Sequence, residues 1–319
     1  MIADSPKPPQ TLLEAVRHFD AETARQYVQA IKWPDGPVCP KCGSVNVGTI
    51  KSRNGMHQCR EKQCRCQFSL IKGTIFEGTH LRLDQWCLGV WQIVNCKNGV
   101  SSCEMARSLG ISQTSAWHLL HRVRWVIQQN HEGMMGETGG GVEADTTYMG
   151  GLMKFMTEER RERARRSYML HGKAAVHGLK DRRTGTVRAK VLGRETGPKV
   201  HDHIQENVSP RAFMFTDTAR IYDRLGKGRF HLTVNHRRGE FVRGSAHTNG
   251  LESFWNCLRR GCKGTYVRPS ADRLQYYVDE QVWRFNMRKL TDWERFEAAL
   301  RLIVGKRLTY KTLTDGATR

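Results

Sequence analysis

Two sets of residues in this 319-residue chain have the types and spacing to do chemistry. The first is a run of thiols. Cys39-Pro-Lys-Cys42 is followed by Gly43, and after 16 intervening residues come Cys59, Cys64 and Cys66. A C-x-x-C knuckle, a spacer of that length and a second Cys pair is the ligand arrangement of a zinc ribbon. The expected ligands are Cys39, Cys42, Cys59 and Cys64. The single residue between Cys64 and Cys66 fits a knuckle poorly, which leaves Cys66 as a spare thiol and the other choice for fourth ligand. Four thiolates leave no open coordination position, so this zinc would be structural. The second set is acidic. Asp145 lies in VEADTTYMGG, Asp217 ends the apolar run RAFMFTD, and Glu252 lies in HTNGLESFWNCLRRG. A carboxylate at the end of a buried strand is costly unless it holds a cation. Three converging acids would bind two Mg²⁺ or Mn²⁺ ions for in-line phosphoryl transfer. Arg259 follows Glu252 by seven residues, on the same helix face about 10 Å along the axis, where it would hold substrate phosphate.

Charge narrows the substrate. Lys and Arg total 52 against 31 Asp and Glu, a formal balance of +21 that calls for an extended anionic partner. Nucleic acid comes first and an anionic membrane second. The membrane is disfavoured because no run of about 18 apolar residues exists. The start MIADSPKPPQ has neither the charged nor the apolar part of a secretion signal. The expected location is the cytoplasm, bound to DNA. Cys87, Cys96, Cys103, Cys257 and Cys262 are scattered and read as packed thiols rather than a disulfide framework.

The positioning elements fall into five stretches. Residues 1–35 read as short helices, with Asp20 as an N-cap, and 36–75 as the zinc ribbon. Residues 76–132 are helical by their apolar spacing, and most of their Trp residues belong to a core. Within them SSCEMARSLGISQTSAWHLLHRVR reads as a helix-turn-helix, turning at Leu109-Gly110-Ile111 and capped by Ser112. Its second helix offers Gln113, Thr114, Trp117 and His118 to base edges, with Arg122 and Arg124 for phosphates. After the glycine run MMGETGGGV, a catalytic domain spans 140–300, and 301–319 form a tail. Its strands are expected at VEADTTYMGG, KAAVHGLKD, TVRAKVL and RAFMFTD, with DRRTGT a hairpin turn. Helices follow at HDHIQENV, ARIYDRL, NGLESFWNCLRR, DRLQYYVDEQVWRFN and WERFEAALRLIVGK. The class is α/β (α+β), multidomain. Arginines of ERRERARRS (159–167), with Arg237, Arg238 and Arg243, add phosphate contacts to double-stranded DNA.

The blocks CPKCGS, QFSLIKGTIFEGT, VEADTTYMGG, VNHRRGEFVRGSAHTNGLESFWNCLRRGCKGTY and DEQVWRFNMRK together resemble the bacterial insertion-sequence transposases. These pair an N-terminal zinc ribbon with an RNase H-like DDE core. The resemblance implies that Asp145, Asp217 and Glu252 are the metal ligands and Arg259 the basic residue after the third acid. Thr146 and Thr218 stand where the family usually has Glu. Some relatives carry Asn in the third position, which would be Asn249 here, but a carboxylate binds Mg²⁺ better than an amide. His247 is a supporting or DNA-contacting residue, and His236 a weaker one. The implied function is a DNA transposase that cleaves element ends and joins the 3′ hydroxyl to target DNA, as a homodimer or higher oligomer. Two rivals share these parts: a binding protein that has lost catalysis, and an RNase H-like nuclease or resolvase.

Overall fold

Aromatic side chains explain how the chain's two ends come to share one unit. The computed structural model describes residues 8–53, 55–128, 132–150, 157–159, 161–162, 173–223, 225, 230–235, 242–244, 247–267 and 269–314. It divides into Met1–Ile127 with Lys289–Arg319, and Gln128–Arg288.

The first unit opens with α1 (Leu12–His18), started by a Thr11/Glu14 capping box, and α2 (Ala21–Lys32), capped by the Asp20 carboxylate on two backbone N–H groups. The ribbon is an antiparallel sheet of β1 (Val47–Thr49), β2 (Met56–Cys59) and β3 (Gln67–Ser69). Helix α3 (Leu83–Asn95) is buried along most of its length, as its largely apolar sequence requires. Helices α4 (Ser102–Leu109) and α5 (Gln113–Val126) pack together across Gly110, which takes the left-handed φ of 64° that ends α4. Ser112 caps α5 on the Ser115 N–H, as the sequence reading expects.

The chain returns to this unit as α9 (Asp292–Arg301), which packs on α3 and α2. Trp293 stacks on Phe19 at 11° between planes, and Phe296 lies 5.0 Å from Phe19 and 5.7 Å from Trp91. The sequence reading carries the catalytic domain to 300 and leaves 301–319 as a tail. The aromatic set overrides that boundary, because Trp293 and Phe296 bury themselves against α1–α3.

The second unit is built on a five-stranded mixed sheet. Its strands are β4 (Gly141–Met149), β5 (Ala174–Asp181), β6 (Val187–Gly193), β7 (Phe213–Asp217) and β8 (His231–Val234). They lie in the order β6-β5-β4-β7-β8. The first three run antiparallel and the last two parallel to β4, the sheet of an RNase H-like core. Helix α6 (Gly197–Asn207) covers one face through Val200 and Ile204. The other carries α7 (Asn249–Arg260) and α8 (Leu274–Asn286), packed through Leu251, Trp255, Leu258, Val278 and Val282. Two details differ from expectation. The described residues of ARIYDRL hold only a 3₁₀ turn, at Arg220–Tyr222, and the short edge strand β8 was not foreseen. Four residues carry too little alternation to announce a strand.

Candidate active site and zinc centre

In the ribbon, the sulfurs of Cys39, Cys42, Cys59 and Cys64 all lie within 4.8 Å of one another. Cys39 Sγ is 3.7 Å from Cys64 Sγ, and Cys42 Sγ is 3.6 Å from Cys59 Sγ. A tetrahedron with Zn–S bonds of about 2.3 Å has edges of about 3.8 Å, which these two distances match. Turn geometry explains why Cys64 is chosen over Cys66. Gly43, after Cys42, has φ 74°, and Arg65, after Cys64, has φ 44°. Each knuckle turns through a left-handed residue directly after its second cysteine. Cys66 is the next residue along, with its backbone C=O accepting from the Cys59 N–H.

The acids are assembled differently, by strand register. Strands β4 and β7 pair Gly141 with Phe213 and Glu143 with Phe215, an offset of 213 − 141 = 72. Two residues beyond the last recorded pair on each strand come Asp145 and Asp217, on the same faces of their strands as Glu143 and Phe215. Paired residues of adjacent strands project to the same face, so the two carboxylates share one side of the sheet. Asp217 Oδ1 accepts the Ala219 N–H at 3.0 Å.

Helix α7 is laid along that same face in step with β4. Glu143, Asp145 and Thr147, at every second strand position, meet Leu251, Trp255 and Arg259, at every fourth helix position. The Leu251 N–H donates to Glu143 Oε2 at 3.1 Å, the Trp255 indole to Asp145 Oδ2 at 2.8 Å, and Arg259 Nη2 to the Thr147 hydroxyl at 2.7 Å. Two strand residues rise about 6.6 Å and four helix residues about 6 Å, so the two periods match over this length. Gly178 pairs with Asp145 on β5. A Cβ there would come within 2.6 Å of the Trp255 ring, so the missing side chain is what lets the indole reach Asp145.

On α7, successive residues step by 100°. Phe254 faces Phe285 of α8 on one flank. Glu252 and Arg259 fall on the opposite flank, beside Trp255, while Asn249 is exposed some 160° from Leu251. The three acids do not gather their oxygens within 4.8 Å; among the described residues only the cysteines form such a group. An oxygen-only donor set of this kind suits Mg²⁺ or Mn²⁺.

Sequence reasoning missed Glu143, which is 1% exposed. Arg182 donates to its Oε1 at 3.0 Å, and His247 Nδ1 lies 3.4 Å from the same oxygen. Arg182 also donates to the His247 carbonyl at 2.6 Å. Burial lowers the Lys180 amine against the opposing pull of Glu143. The alternation of VEAD could have flagged Glu143, because it shares a face with Asp145. Glu195 was missed too; it accepts the Tyr148 hydroxyl. Burial, that bond and the charges of Glu195 and Asp217 push the Tyr148 phenol up, so it stays a neutral donor.

Of the residues expected to contact DNA, Gln113 and Thr114 are exposed at the start of α5, with Gln113 donating to the Ser102 hydroxyl, and His118 is half-buried. One expectation is corrected: Arg124 is 1% exposed, because the apolar period of α5 turns it inward, so it is not an outward phosphate contact. Arg122 is half-buried and donates through Nη1 to the carbonyls of Ile75 and Glu77. Arg243 is exposed and donates to the Thr233 carbonyl. Arg237, Arg238 and His236 lie outside the described residues, as do Arg160, Arg163, Arg165 and Arg166 of the 159–167 run. Among the described residues no helix is long and apolar enough to cross a membrane.

Residues 137–286 match the ISXO2-like transposase domain and residues 20–67 the transposase zinc-ribbon domain. The chain is 34% identical over 84 residues to an uncharacterized transposase-like protein of Haemophilus influenzae, covering 26% of this chain and 67% of that one. It is 24% identical over 263 residues to an uncharacterized protein in transposable element ISH50 of Halobacterium salinarum, covering 80% and 87%. A solved chain of the simian T-cell lymphotropic virus intasome in complex with PP2A regulatory subunit B56 gamma aligns over 65% of this chain and 74% of its own, at 13% identity and a TM-score of 0.30. With its Cys₄ ribbon and its mixed-sheet core, the chain belongs to the IS1595 family of transposases, in which a zinc ribbon precedes an ISXO2-like DDE transposase domain.

Proposed function

We propose that this transposase binds the ends of its element as double-stranded DNA, cleaves a strand there and joins the freed 3′ hydroxyl to target DNA. The observation that carries the reading is the register that brings Asp145 and Asp217 together on one face, under a helix bearing Glu252. Asp145, Asp217 and Glu252 are the ligands for divalent metal. Two such ions, when bound, activate the attacking oxygen and stabilise the leaving one. Trp255 orients Asp145 through its indole N–H. Arg259, anchored on Thr147, offers its guanidinium to substrate phosphate. The flank of α7 shared with Trp255 and Arg259 favours Glu252 over Asn249 as third ligand. His247, beside Glu143, supports the start of that helix. Ribbon and helix-turn-helix grip DNA through Gln113, Thr114 and His118, and Arg243 with Arg237 and Arg238 adds phosphate contacts. Two ends held together require a dimer or higher assembly on DNA.

The test is cleavage and joining of duplexes carrying the gene's own flanking sequences, with Mg²⁺ or Mn²⁺. The native chain yields both products. Asp217→Asn and Glu252→Gln lower the rate about a thousandfold, while Asn249→Ala stays within about tenfold of native. Loss with Asn249→Ala and retention with Glu252→Gln would reassign the third ligand. Cleavage without joining would indicate a nuclease, and binding without product a DNA-binding protein.

A further inference from the structure

Strand β7 stops at Asp217, whereas β4 runs on past Asp145 to Met149. Beyond the two acids β4 therefore has β5 on one side and no strand on the other. The turn that follows β7 sets Tyr222 there. The Tyr222 ring lies 6.2 Å from that of His177, the β5 partner of Thr146, and its hydroxyl faces that of Thr146 without a well-directed hydrogen bond. At 2% exposed, Tyr222 packs into the α6 face of the sheet, behind the aspartates. Tyr148 is three positions past Asp145, so its side chain leaves β4 on that same α6 face. It reaches the loop between β6 and α6, where Glu195 Oε2 accepts its hydroxyl, while Oε1 has no partner among the described residues. Both phenols feel Glu195 together with the aspartates. Burial, then the charges of Asp145, Asp217 and Glu195, raise the Tyr222 phenol, and Glu195 and Asp217 act likewise on buried Tyr148. Carboxylates gathered in one place call for a cation. The chain has 52 Lys and Arg, yet among the described residues Asp217 and Glu195 accept only from uncharged donors, the Ala219 N–H and the Tyr148 hydroxyl.

We propose that Glu195 is a fourth carboxylate of the divalent-metal site, steadied by the Tyr148 hydroxyl. The proposal rests on reading Asp145, Asp217 and Glu252 as metal ligands, and it adds one from the opposite face of the sheet. A carboxylate with one oxygen anchored on a neutral donor and the other open is in the form that binds an ion through one oxygen. Tyr148 suits the anchoring position because its phenol stays protonated, so it orients Glu195 without competing for the ion. Glu195 stands in a loop, at the end of the sheet where β7 has stopped, and not on a strand. That leaves it room to approach an ion from the side that the strands do not occupy. Affinity for hard cations grows with the number of carboxylates around them. Two divalent ions bring four positive charges and three carboxylates only three negative ones, so a fourth balances the pair before substrate phosphate arrives. Tyr222, closed to solvent, takes no part in ligation and fills the space behind the aspartates.

The experiment is Mn²⁺ binding by the full-length, zinc-loaded protein without DNA, with free Mn²⁺ measured by electron paramagnetic resonance. Glu195→Gln weakens binding about 10- to 100-fold, and Tyr148→Phe, which removes only the anchoring hydroxyl, about tenfold. Glu206→Gln removes an equal charge from an exposed position paired with Lys190 and leaves binding unchanged. Asp217→Asn weakens binding and is the reference for the site itself. Native-like binding by Glu195→Gln and Tyr148→Phe, beside a weakened Asp217→Asn, overturns the proposal and leaves the metal site standing. An equal loss in Glu206→Gln reduces the effect to net charge and overturns it as well. Native-like binding by Asp217→Asn overturns both the proposal and the reading beneath it. Should Glu195→Gln fold poorly, Tyr148→Phe decides alone, since it keeps both the ring and the carboxylate.

Discussion

The four thiols of the ribbon and the acids of the sheet are positioned by opposite means. The four thiols lie between Cys39 and Cys64, and two left-handed turns, at Gly43 and Arg65, bring them into a tetrahedral spacing. The acidic residues are spread from Asp145 to Glu252 and share one face only because β4 and β7 pair in one register and α7 lies in step with β4. A local site depends on turns and on its ion. A distributed site depends on everything that fixes the sheet.

The largest expected effect follows from the local site. Structural zinc contributes about 10–16 kcal/mol of apparent binding free energy that is also folding free energy. Cys42→Ser, or a strong chelator, abolishes amide protection in β1–β3 and leaves that of β4–β7 intact, as hydrogen exchange would record. Cys66→Ser keeps one equivalent of zinc. Loss of the metal with Cys66→Ser, or retention with Cys42→Ser, would break the assignment of the fourth ligand and with it the contrast.

The second effect probes what supports the distributed site. Glu143 is buried against Arg182, His247 and the first turn of α7. Glu143→Gln leaves the Arg182 guanidinium without its carboxylate and costs about 3 kcal/mol in denaturant unfolding. Adding Arg182→Met restores part of that loss, because both members of the pair are then gone. Were the double variant as unstable as the sum of the two singles, the pair would not be the unit that holds α7.

This difference also sets what could be read beforehand. The thiols announce themselves by spacing, and the choice of Cys64 needed only the poor fit of C-x-C. The strands β4–β7 were legible from their apolar runs, and Asp217 from ending one. Glu143 was not, because a lone Glu in a strand resembles any surface acid until the pairing and α7 enclose it. Arg124 misled in its own way: its charge suggests a phosphate, while the period of α5 turns it inward. Trp293 and Phe296 gave no hint that they close the core of the N-terminal helices, since that contact spans almost the whole chain.

A third and smaller effect is a titration that belongs to the sheet and not to the ribbon. His177, fully buried on β5, shares a 2.7 Å contact between its Nδ1 and that of His203. Burial, then the neighbouring His203, holds the His177 imidazole well below its ordinary value. The folded chain therefore refuses a proton that the unfolded chain accepts from about pH 6.5 downward. Stability is full above that pH and falls below it, by at most about 1.4 kcal/mol per pH unit for this one group. His177→Gln flattens the slope between about pH 5 and 6.5. An unchanged slope would mean that the acid sensitivity lies elsewhere.

The smallest effect returns to the ribbon, where the two knuckles differ at one equivalent position. Gly43 adopts φ 74° at no steric cost, whereas Arg65 holds φ 44° with a Cβ. A non-glycine residue in that region costs about 1 kcal/mol, and glycine gives back part of the gain through the entropy of the unfolded chain. Arg65→Gly should thus stabilise the zinc-bound ribbon by about 0.5 kcal/mol, while Gly43→Ala destabilises it by about 1 kcal/mol. Denaturant midpoints of the zinc-loaded protein measure both. The side chain of Arg65 is exposed, so relief of strain is the only structural term at stake. A less stable Arg65→Gly would show that the second knuckle owes its turn to the Arg65 side chain, and that the two halves of the zinc site are not built by the same rule.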